Sequence, residues 1–152
     1  MEENEMRDQA LRLDNQICFP LYATARKIIN EYTPYLKPLG ITYTQYLVFL
    51  VLWEKDDIKV GDLCERLYLD NGTLTPMLKK MEKNGFITRT RDSSDERVVV
   101  IRLTEEGRNL KEKAYGIPFS ISGCFPLPAQ EAKNLYDTLY KLLGMEKVKE
   151  DE

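Results

Sequence analysis

The stretch between residues 60 and 103 constrains the fold of this chain most strongly. Its pattern predicts a short helix over 60–67, a Gly-containing turn, and a second helix over 73–84 that ends at an Asn-Gly pair. Two runs suited to strands follow at 86–91 and 98–103, joined by a polar loop, and they predict a β-hairpin. Two short helices followed directly by a charged hairpin are typical of a winged helix-turn-helix.

The start of the second helix of that pair has two interpretations. Thr75 can be the N-cap with Pro76 as the first helical residue, which suits a proline because the first N–H of a helix has no intrahelical partner. Asp70 or Asn71 can instead be the N-cap, which adds a turn but places Pro76 inside the helix. Local chemistry favours the first interpretation.

Helical patterns also precede this stretch. Apolar residues at helical spacing predict a long helix over 11–36, in which Pro20 would introduce a kink. A second, almost wholly apolar helix is predicted over 46–54, with Thr42 or Thr44 as its N-cap. An apolar helix of this kind belongs in the centre of a core.

Further helices are predicted after the hairpin. Thr104 as N-cap, with two glutamates in the first turn, predicts a helix to about residue 115. The stretch 117–128 contains three prolines and is expected to be irregular, and a final helix is expected over 129–143. The predicted fold class is mainly α with a small β-hairpin wing, in which N- and C-terminal helices pair two subunits. We expect a single domain over 1–152. Within it the winged helix-turn-helix occupies about 44–103, and the two dimerisation segments occupy about 11–40 and 104–144.

Composition excludes several classes of protein. The chain has 152 residues, 43% of them apolar, and no apolar run approaches the length of a membrane span. Residues 1–8 are polar and acidic, unlike a signal peptide, so we expect a cytoplasmic protein. The absence of histidine excludes histidine-based triads and zinc sites, and three widely spaced cysteines offer no C-x-x-C pair. We expect no cofactor, no metal and no enzymatic activity.

Charge is distributed unevenly along the chain. Residues 79–102 contain seven basic and four acidic side chains, a net charge of +3, whereas the whole chain carries −3. The remainder therefore carries −6. A basic segment on an acidic body is typical of a local anion-binding face, although on charge alone a solvated surface is the preferred explanation.

Several motifs resemble one family of regulators. The run 67–82 is similar to the recognition-helix region of MarR-family proteins, and Asp95-Glu96-Arg97 matches the D-x-R signature of their wing. The stretches 13–23, 41–46 and 52–54 are similar to the OhrR branch, the repressors that sense organic hydroperoxides. The resemblance covers roughly residues 11–118. It implies a homodimer that binds a palindromic operator in double-stranded DNA, with half-sites about one helical turn apart.

The resemblance also implies roles for particular residues. Cys18 matches the reactive cysteine of the OhrR branch, Tyr32 and Tyr43 match tyrosines whose hydroxyls hold its thiolate, and Tyr22 and Phe19 complete the pocket. In the wing, Asp95 matches the acid that positions Arg97 for the minor groove. The positions that match or adjoin the DNA-facing surface are Asp70, Asn71, Thr73, Thr75, Pro76, Lys79, Lys80, Arg89 and Arg91.

The chemistry of these residues leaves alternatives open. A cysteine among Ile17, Phe19 and Leu21 can be a small core hydrophobe, whereas a thiolate held by hydroxyls can attack a peroxide and become a sulfenic acid. Cys124 lies where the two-cysteine class of the branch has a resolving cysteine, which implies a disulfide with Cys18 between subunits; otherwise it is an ordinary turn cysteine. Cys64 is expected to be structural.

The basic residues likewise have two interpretations. Each lysine can lie on a solvated helix face, or it can hold a phosphate, which sets affinity but not sequence preference. Thr73, Thr75 and Lys80 are the favoured candidates for base contacts, and Arg97 for a narrow minor groove.

Two other functions compete with peroxide sensing. The first is a MarR-type regulator that binds a small aromatic ligand in the dimer cleft, with Cys18 merely buried. The second is a thiol peroxidase, but the sequence lacks the P-x-x-x-[ST]-x-x-C context of such enzymes.

Overall fold

A computed structural model of the chain describes residues 2–144. Eight α-helices and three strands follow one another in these residues. They are α1 (Glu2–Ala10), α2 (Cys18–Leu36), α3 (Tyr43–Glu54), β1 (Ile58–Lys59), α4 (Val60–Leu67), α5 (Asn71–Lys83), β2 (Ile87–Arg91), β3 (Val99–Leu103), α6 (Glu105–Ala114), α7 (Ile117–Ser122) and α8 (Ala129–Leu142). The chain forms two compact units, one up to Ile117 and one from Pro118 onward. The mainly α fold with a hairpin wing is confirmed.

The first unit has a core built by α3, α4, α5 and the sheet. Phe49, Leu63, Leu74 and Ile101 are fully buried there, each from a different element. The strands pair antiparallel in the order β1-β3-β2, so β1 and β2 flank β3. The strand β1 was not predicted, because two residues are too short to show the alternation of a strand.

The predicted helix over 11–36 is wrong at its start. The helix α1 ends at Ala10, a short 3-10 turn follows at Leu13–Asn15, and α2 begins only at Cys18. Side-chain amides close the first helix, since Asn15 donates to the Gln9 carbonyl and Gln16 to the Ala10 carbonyl, each at 2.6 Å. These bonds satisfy carbonyls that a continuous helix would have satisfied through its backbone.

Pro20 therefore does not kink a helix. It is the third residue of α2, within the first turn, where a backbone N–H would have no intrahelical acceptor. A proline at this place removes no hydrogen bond and fixes a φ that suits the helix.

The helix α3 begins earlier than predicted and is capped by Thr42. The Thr42 hydroxyl accepts from the Gln45 backbone N–H at 3.3 Å, and the Gln45 side chain accepts from the Thr42 N–H at 2.9 Å. This reciprocal capping explains how Gln45 is buried among apolar neighbours without an unsatisfied amide oxygen.

The helix α6 packs closely against α3 and Phe86 at a glycine, Gly107. Trp53 of α3 donates its indole N–H to the Gly107 carbonyl of α6 at 3.0 Å. A Cβ at position 107 would lie 2.2 Å from the Phe86 carbonyl oxygen, so only glycine allows this approach.

In the second unit, the expectation of an irregular 117–128 stretch is partly wrong, because α7 occupies Ile117–Ser122. Its proline, Pro118, is the second helical residue, a position that proline tolerates. The final helix α8 ends one residue earlier than predicted, and its Leu135, Tyr136, Leu139 and Leu142 are exposed. The single-domain organisation stays a prediction.

Candidate DNA interface and cysteine site

The helix α5 begins at Asp70, so the favoured choice of Thr75 as N-cap was wrong. The Asp70 carboxylate accepts from the Thr73 backbone N–H at 2.8 Å and from the Thr73 hydroxyl at 2.9 Å. These hydrogen bonds hold the pKa of Asp70 below its usual value. They also outweigh the loss of one helical bond at Pro76, whose missing N–H leaves the Gly72 carbonyl without that partner.

One face of α5 is polar and exposed. Thr73, Pro76, Lys79 and Lys80 lie there, while Leu74, Leu78 and Met81 of the opposite face are buried. Their spacing of three and four residues puts the polar set on one side of the helix, which is the arrangement needed to enter a groove of DNA.

The β2–β3 hairpin carries a wing held by local bonds. Its tip, 92–98, is closed by the bond from the Asp92 N–H to the Val98 carbonyl at 2.9 Å. Asp95 accepts two hydrogen bonds from the Arg97 guanidinium, each at 3.0 Å, and a third from the Arg97 backbone N–H. The Arg97 guanidinium accordingly lowers the pKa of Asp95. Since 90% of the Arg97 side chain is exposed, this pairing fixes its direction without burying it.

Arg91 and Arg89 lie along β2. Arg91 donates to the Glu96 carbonyl within the wing. Arg89 is mostly covered, lies 3.6 Å from the Glu82 carboxylate, and has an Nε without a hydrogen bond.

A groove of about 450 Å³ lies between α5, the start of α4 and the wing. Arg89, Arg97, Asn71 and Thr75 are among its lining residues, so the structure brings together positions that are 26 residues apart in sequence. Lys59 of β1 also lines the groove and was missed, because its place depends on the pairing of β1 with β3.

Cys18 is exposed and is the first residue of α2. The core-cysteine interpretation is therefore wrong for the chain as described. The first turn of a helix has N–H groups without intrahelical acceptors, and these favour negative charge nearby. Phe19 and Tyr22, also exposed, lie beside it on the same helix.

Tyr32 and Tyr43 lie together, with ring centroids 4.8 Å apart. A third tyrosine, Tyr46, is 5.8 Å from Tyr32 and almost fully buried; sequence analysis missed it as part of the apolar helix α3. Burial, and to a lesser degree Tyr32, raise the pKa of Tyr43, so its hydroxyl keeps its proton at neutral pH.

Within one chain the tyrosine pair cannot reach Cys18. Tyr32 is fourteen residues further along the same helix, which places it about 21 Å away along the axis. A cysteine and a tyrosine side chain together span far less than that distance.

The remaining cysteines have distinct surroundings. Cys64 of α4 is half-buried and its thiol lies 3.8 Å from the Asn71 amide oxygen. Desolvation, followed by the nearby Asp70 carboxylate, raises the pKa of this thiol, which suits a structural residue. Cys124 is half-buried in the segment after α7, where its N–H donates to the Ile121 carbonyl at 2.8 Å.

Two further features concern membrane spans and metal sites. Over residues 2–144, none of the helices has the length and apolar character that crossing a bilayer requires. Within the same residues, acidic and cysteine side chains form no cluster that could hold a metal ion.

The fold and the paired recognition helix and wing define a class, the winged-helix transcriptional regulators. A family model described as transcriptional regulator SarA/Rot matches residues 30–114. The organic hydroperoxide resistance transcriptional regulator of Bacillus subtilis is 51% identical over 88% of this chain and 90% of its own length.

Solved structures agree with these matches. Reduced AbfR bound to DNA, a protein of Staphylococcus epidermidis, is 38% identical and superposes with a TM-score of 0.75 over 92% of this chain and 97% of its own. AbfR with a disulfide formed is also 38% identical, and it superposes with a TM-score of 0.62 over 92% of this chain and 98% of its own. A MarR-family regulator of Rhodococcus sp. RHA1, 23% identical, shares the fold, with a TM-score of 0.75 over 87% and 95%.

This chain belongs to the SarA/Rot family of transcriptional regulators, together with the organic hydroperoxide resistance regulators. The predicted family is thus confirmed. Since its relatives are regulators, the expectation that the chain is not an enzyme is confirmed as well.

Proposed function

We propose that the chain is a homodimeric repressor that releases its operator when an organic hydroperoxide oxidises Cys18. The observation that carries this proposal is the placement of Cys18, exposed at the first turn of α2, in a chain that is 51% identical to a hydroperoxide regulator. Support also comes from AbfR, which has been solved both reduced on DNA and with a disulfide formed.

DNA binding would use α5 in the major groove and the wing in the minor groove. Thr73, Thr75 and Lys80 are the proposed base contacts, and Lys79, Arg89 and Arg91 the proposed phosphate contacts. Arg97, which Asp95 holds at the tip of the wing, would enter a narrow minor groove, where the potential is most negative. Two subunits then imply a palindromic operator with half-sites about one helical turn apart.

The dimer would form through α2 and α8. Both helices expose large apolar side chains that a subunit alone leaves uncovered, and exposed apolar area of this extent marks an interaction surface. These side chains are Phe19, Leu21, Tyr22, Ile29, Tyr35, Leu135, Tyr136, Leu139 and Leu142.

The thiolate pocket would form between subunits. Since about 21 Å of helix separate Tyr32 from Cys18, the tyrosine pair can serve only a cysteine of the partner subunit. Its two hydroxyls would donate to the thiolate, and an apolar peroxide would pack against Phe19 and Tyr22.

The proposed reaction is a two-electron oxidation of sulfur. The Cys18 thiolate attacks the terminal peroxide oxygen, an S–O bond forms, and the O–O bond breaks; the alkoxide that leaves takes a proton and becomes an alcohol. The Cys124 thiolate of the partner subunit then attacks the Cys18 sulfur and forms the disulfide; the S–O bond breaks, and the hydroxide that leaves takes a proton and becomes water.

Release of DNA would follow from a change in the distance between the two recognition helices of the dimer. A disulfide at the start of α2 alters how the two subunits meet, and both half-sites must be contacted together for tight binding. A small displacement of one recognition helix relative to the other is therefore sufficient.

A titration of an inverted-repeat operator, with and without cumene hydroperoxide, tests the proposal. Wild type should lose affinity on oxidation and regain it with a thiol reductant, whereas Cys18→Ser should stay bound. Release of the Cys18→Ser variant by peroxide would contradict the sensing role and would favour a regulator that responds to a small ligand.

The disulfide is tested separately on non-reducing gels. Stoichiometric peroxide should give a covalent dimer that is absent in Cys18→Ser and in Cys124→Ser, with Cys64→Ser as the matched control. A monomeric band in oxidised wild type, or a covalent dimer that persists in Cys124→Ser, would refute the pairing.

The tyrosine pocket is tested by the rate at which Cys18 oxidises. Tyr43→Phe removes one donor to the thiolate and should slow the reaction about tenfold. Tyr68→Phe, an exposed tyrosine that follows α4, is the control and should react at the wild-type rate. Equal rates in both variants would remove Tyr43 from the pocket.

A further inference from the structure

We propose that Lys59 binds a phosphate of the operator in the groove between the recognition helix α5 and the wing. This inference rests on the proposed mode of DNA binding, in which α5 enters the major groove and the wing enters the minor groove. It adds a contact to the sugar–phosphate backbone between those two grooves, from a residue that belongs to neither the recognition helix nor the wing.

The groove of about 450 Å³ between α5, the start of α4 and the wing is positively charged. Lys59, Arg89 and Arg97 line it, against a single carboxylate among the lining residues, that of Asp62. A DNA strand that borders both the major groove beside α5 and the minor groove beneath the wing must pass between these two elements. The anion that suits this groove is therefore a backbone phosphate.

The backbone of Lys59 holds the residue at the edge of this groove. It pairs with Val100 of β3 across the sheet, and the next residue, Val60, begins α4. The side chain of Lys59 is exposed, and within residues 2–144 its ammonium forms no hydrogen bond or salt bridge. The main chain is thus fixed while the ammonium is available to an anion.

The charge of Lys59 also acts on the tip of the wing. Hydrogen bonds from Ser94 hold the pKa of Asp92 below its usual value, and the positive charge of Lys59 lowers it further. The pKa of Asp95 is lowered chiefly by Arg97 and in smaller part by Lys59. The ammonium of Lys59 therefore lies near enough to both carboxylates to offset their repulsion of a phosphate.

Lys59 occupies a position at which a lysine costs stability. It is the N-cap of α4, and in the described part of the chain its side chain makes no capping bond. The N-caps of α3, α5 and α6 are Thr42, Asp70 and Thr104, whose side-chain oxygens each accept a first-turn N–H. An ammonium cannot accept a hydrogen bond, and its charge opposes the helix dipole. A residue that breaks a local rule in this way is expected at a functional site.

The variant Lys59→Thr separates binding from folding, because it removes the charge and supplies a capping hydroxyl. We expect the Kd for the operator, measured by fluorescence anisotropy with reduced full-length protein, to rise about fivefold at 50 mM salt, the size of an exposed ion pair. The increase should shrink to about 1.5-fold at 200 mM salt, because the slope of log K against log salt loses about one unit. The melting temperature should rise, so the weaker binding cannot come from lost structure.

Two further variants and a second duplex identify the contact. Lys59→Arg should keep the affinity and the salt dependence of wild type. Lys55→Thr removes the same charge from an exposed residue outside the lining of the groove, and it should keep the wild-type salt slope. An unrelated duplex of equal length should lose affinity for Lys59→Thr by the same factor as the operator, since a phosphate carries no sequence information.

Three results would overturn the inference: an unchanged affinity and salt slope in Lys59→Thr, an equal loss of slope in Lys55→Thr, or a loss confined to the operator, which would indicate a contact to a base. Arg97→Ala distinguishes this failure from failure of the proposed mode of binding. If Arg97→Ala weakens binding and Lys59→Thr does not, the Lys59 contact alone is wrong. If neither variant weakens binding, the placement of the wing on DNA is wrong as well.

Discussion

Arg97 illustrates how a single side chain can be directed without being buried. Asp95 forms two bonds to its guanidinium and one to its backbone, all within three residues of sequence. A pair this local does not depend on the packing of the core. Its geometry therefore adds little to stability and suits the proposed contact with DNA.

Arg97→Ala should accordingly weaken operator binding about 5-fold to 150-fold, since a well-placed contact to DNA contributes about 1–3 kcal/mol. Its thermal unfolding should match that of wild type, because the side chain it loses is exposed. Fluorescence anisotropy with a labelled operator gives the affinity, and Arg12→Ala is the control for loss of one charge. Unchanged affinity would remove the wing from the interface.

At the scale of elements, Gly107 marks a very close approach between α6 and the Phe86 backbone. Gly107→Ala would press a methyl group against the Phe86 carbonyl, so α6 must move and the Trp53 bond must weaken. We expect a loss of about 3 kcal/mol in the free energy of unfolding, measured by urea denaturation. Gly61→Ala is the matched control. That glycine also lies in the first turn of a helix but has open space around it, so a similar loss there would contradict the clash.

The cap of the recognition helix should make stability depend on pH. The pKa of Asp70 is depressed in the folded protein, so its contribution is present above the unfolded value of about 3.9 and is lost as pH falls through the folded value. Asp70→Asn keeps a capping oxygen but does not titrate. Wild type should therefore lose stability relative to Asp70→Asn as the pH is lowered below about 4. Parallel thermal melts from pH 7 to pH 3 would show a constant difference if the cap did not titrate.

Much of the fold could be predicted from the sequence, because several elements carry their own signals. The hairpin, α4 and α8 have local periodicity, and α6 has in addition a cap, the Thr104 hydroxyl, which accepts from the Gly107 N–H. The choice between the two starts of α5 could not be made from the sequence. Two hydrogen bonds from Thr73 to Asp70 outweigh the preference of Pro76 for the first helical position. The groove beneath the wing depends on β1, which pairs with a strand about forty residues away.

The cysteine site shows the same division. The resemblance of local motifs predicts roles for Cys18 and the tyrosine pair, and these roles stay predictions. The sequence did not reveal that α2 begins at Cys18, since the amide side chains that end α1 resemble any polar pair in the sequence. The distance between Cys18 and Tyr32 follows only once the helix is known to be continuous.

For the whole molecule, dimerisation is the property on which the proposed modes of DNA binding and of sensing both depend. Leu139→Glu would place a charge within the exposed apolar face of α8. We expect the variant to be monomeric by light scattering and to bind a full operator no more tightly than a half-site. Asn134→Glu, on another face of the same helix, should remain dimeric. A dimeric Leu139→Glu variant would exclude that face from the interface.

The length of α2 has a genetic consequence. If each sensing pocket takes its sulfur from one chain and its hydroxyls from the other, a Cys18→Ser chain paired with a Tyr32→Phe, Tyr43→Phe chain has one pocket with every group intact and one with none. Two defective alleles expressed together would then restore half of the sensors in a mixed dimer, although each allele alone gives a regulator that responds poorly or not at all.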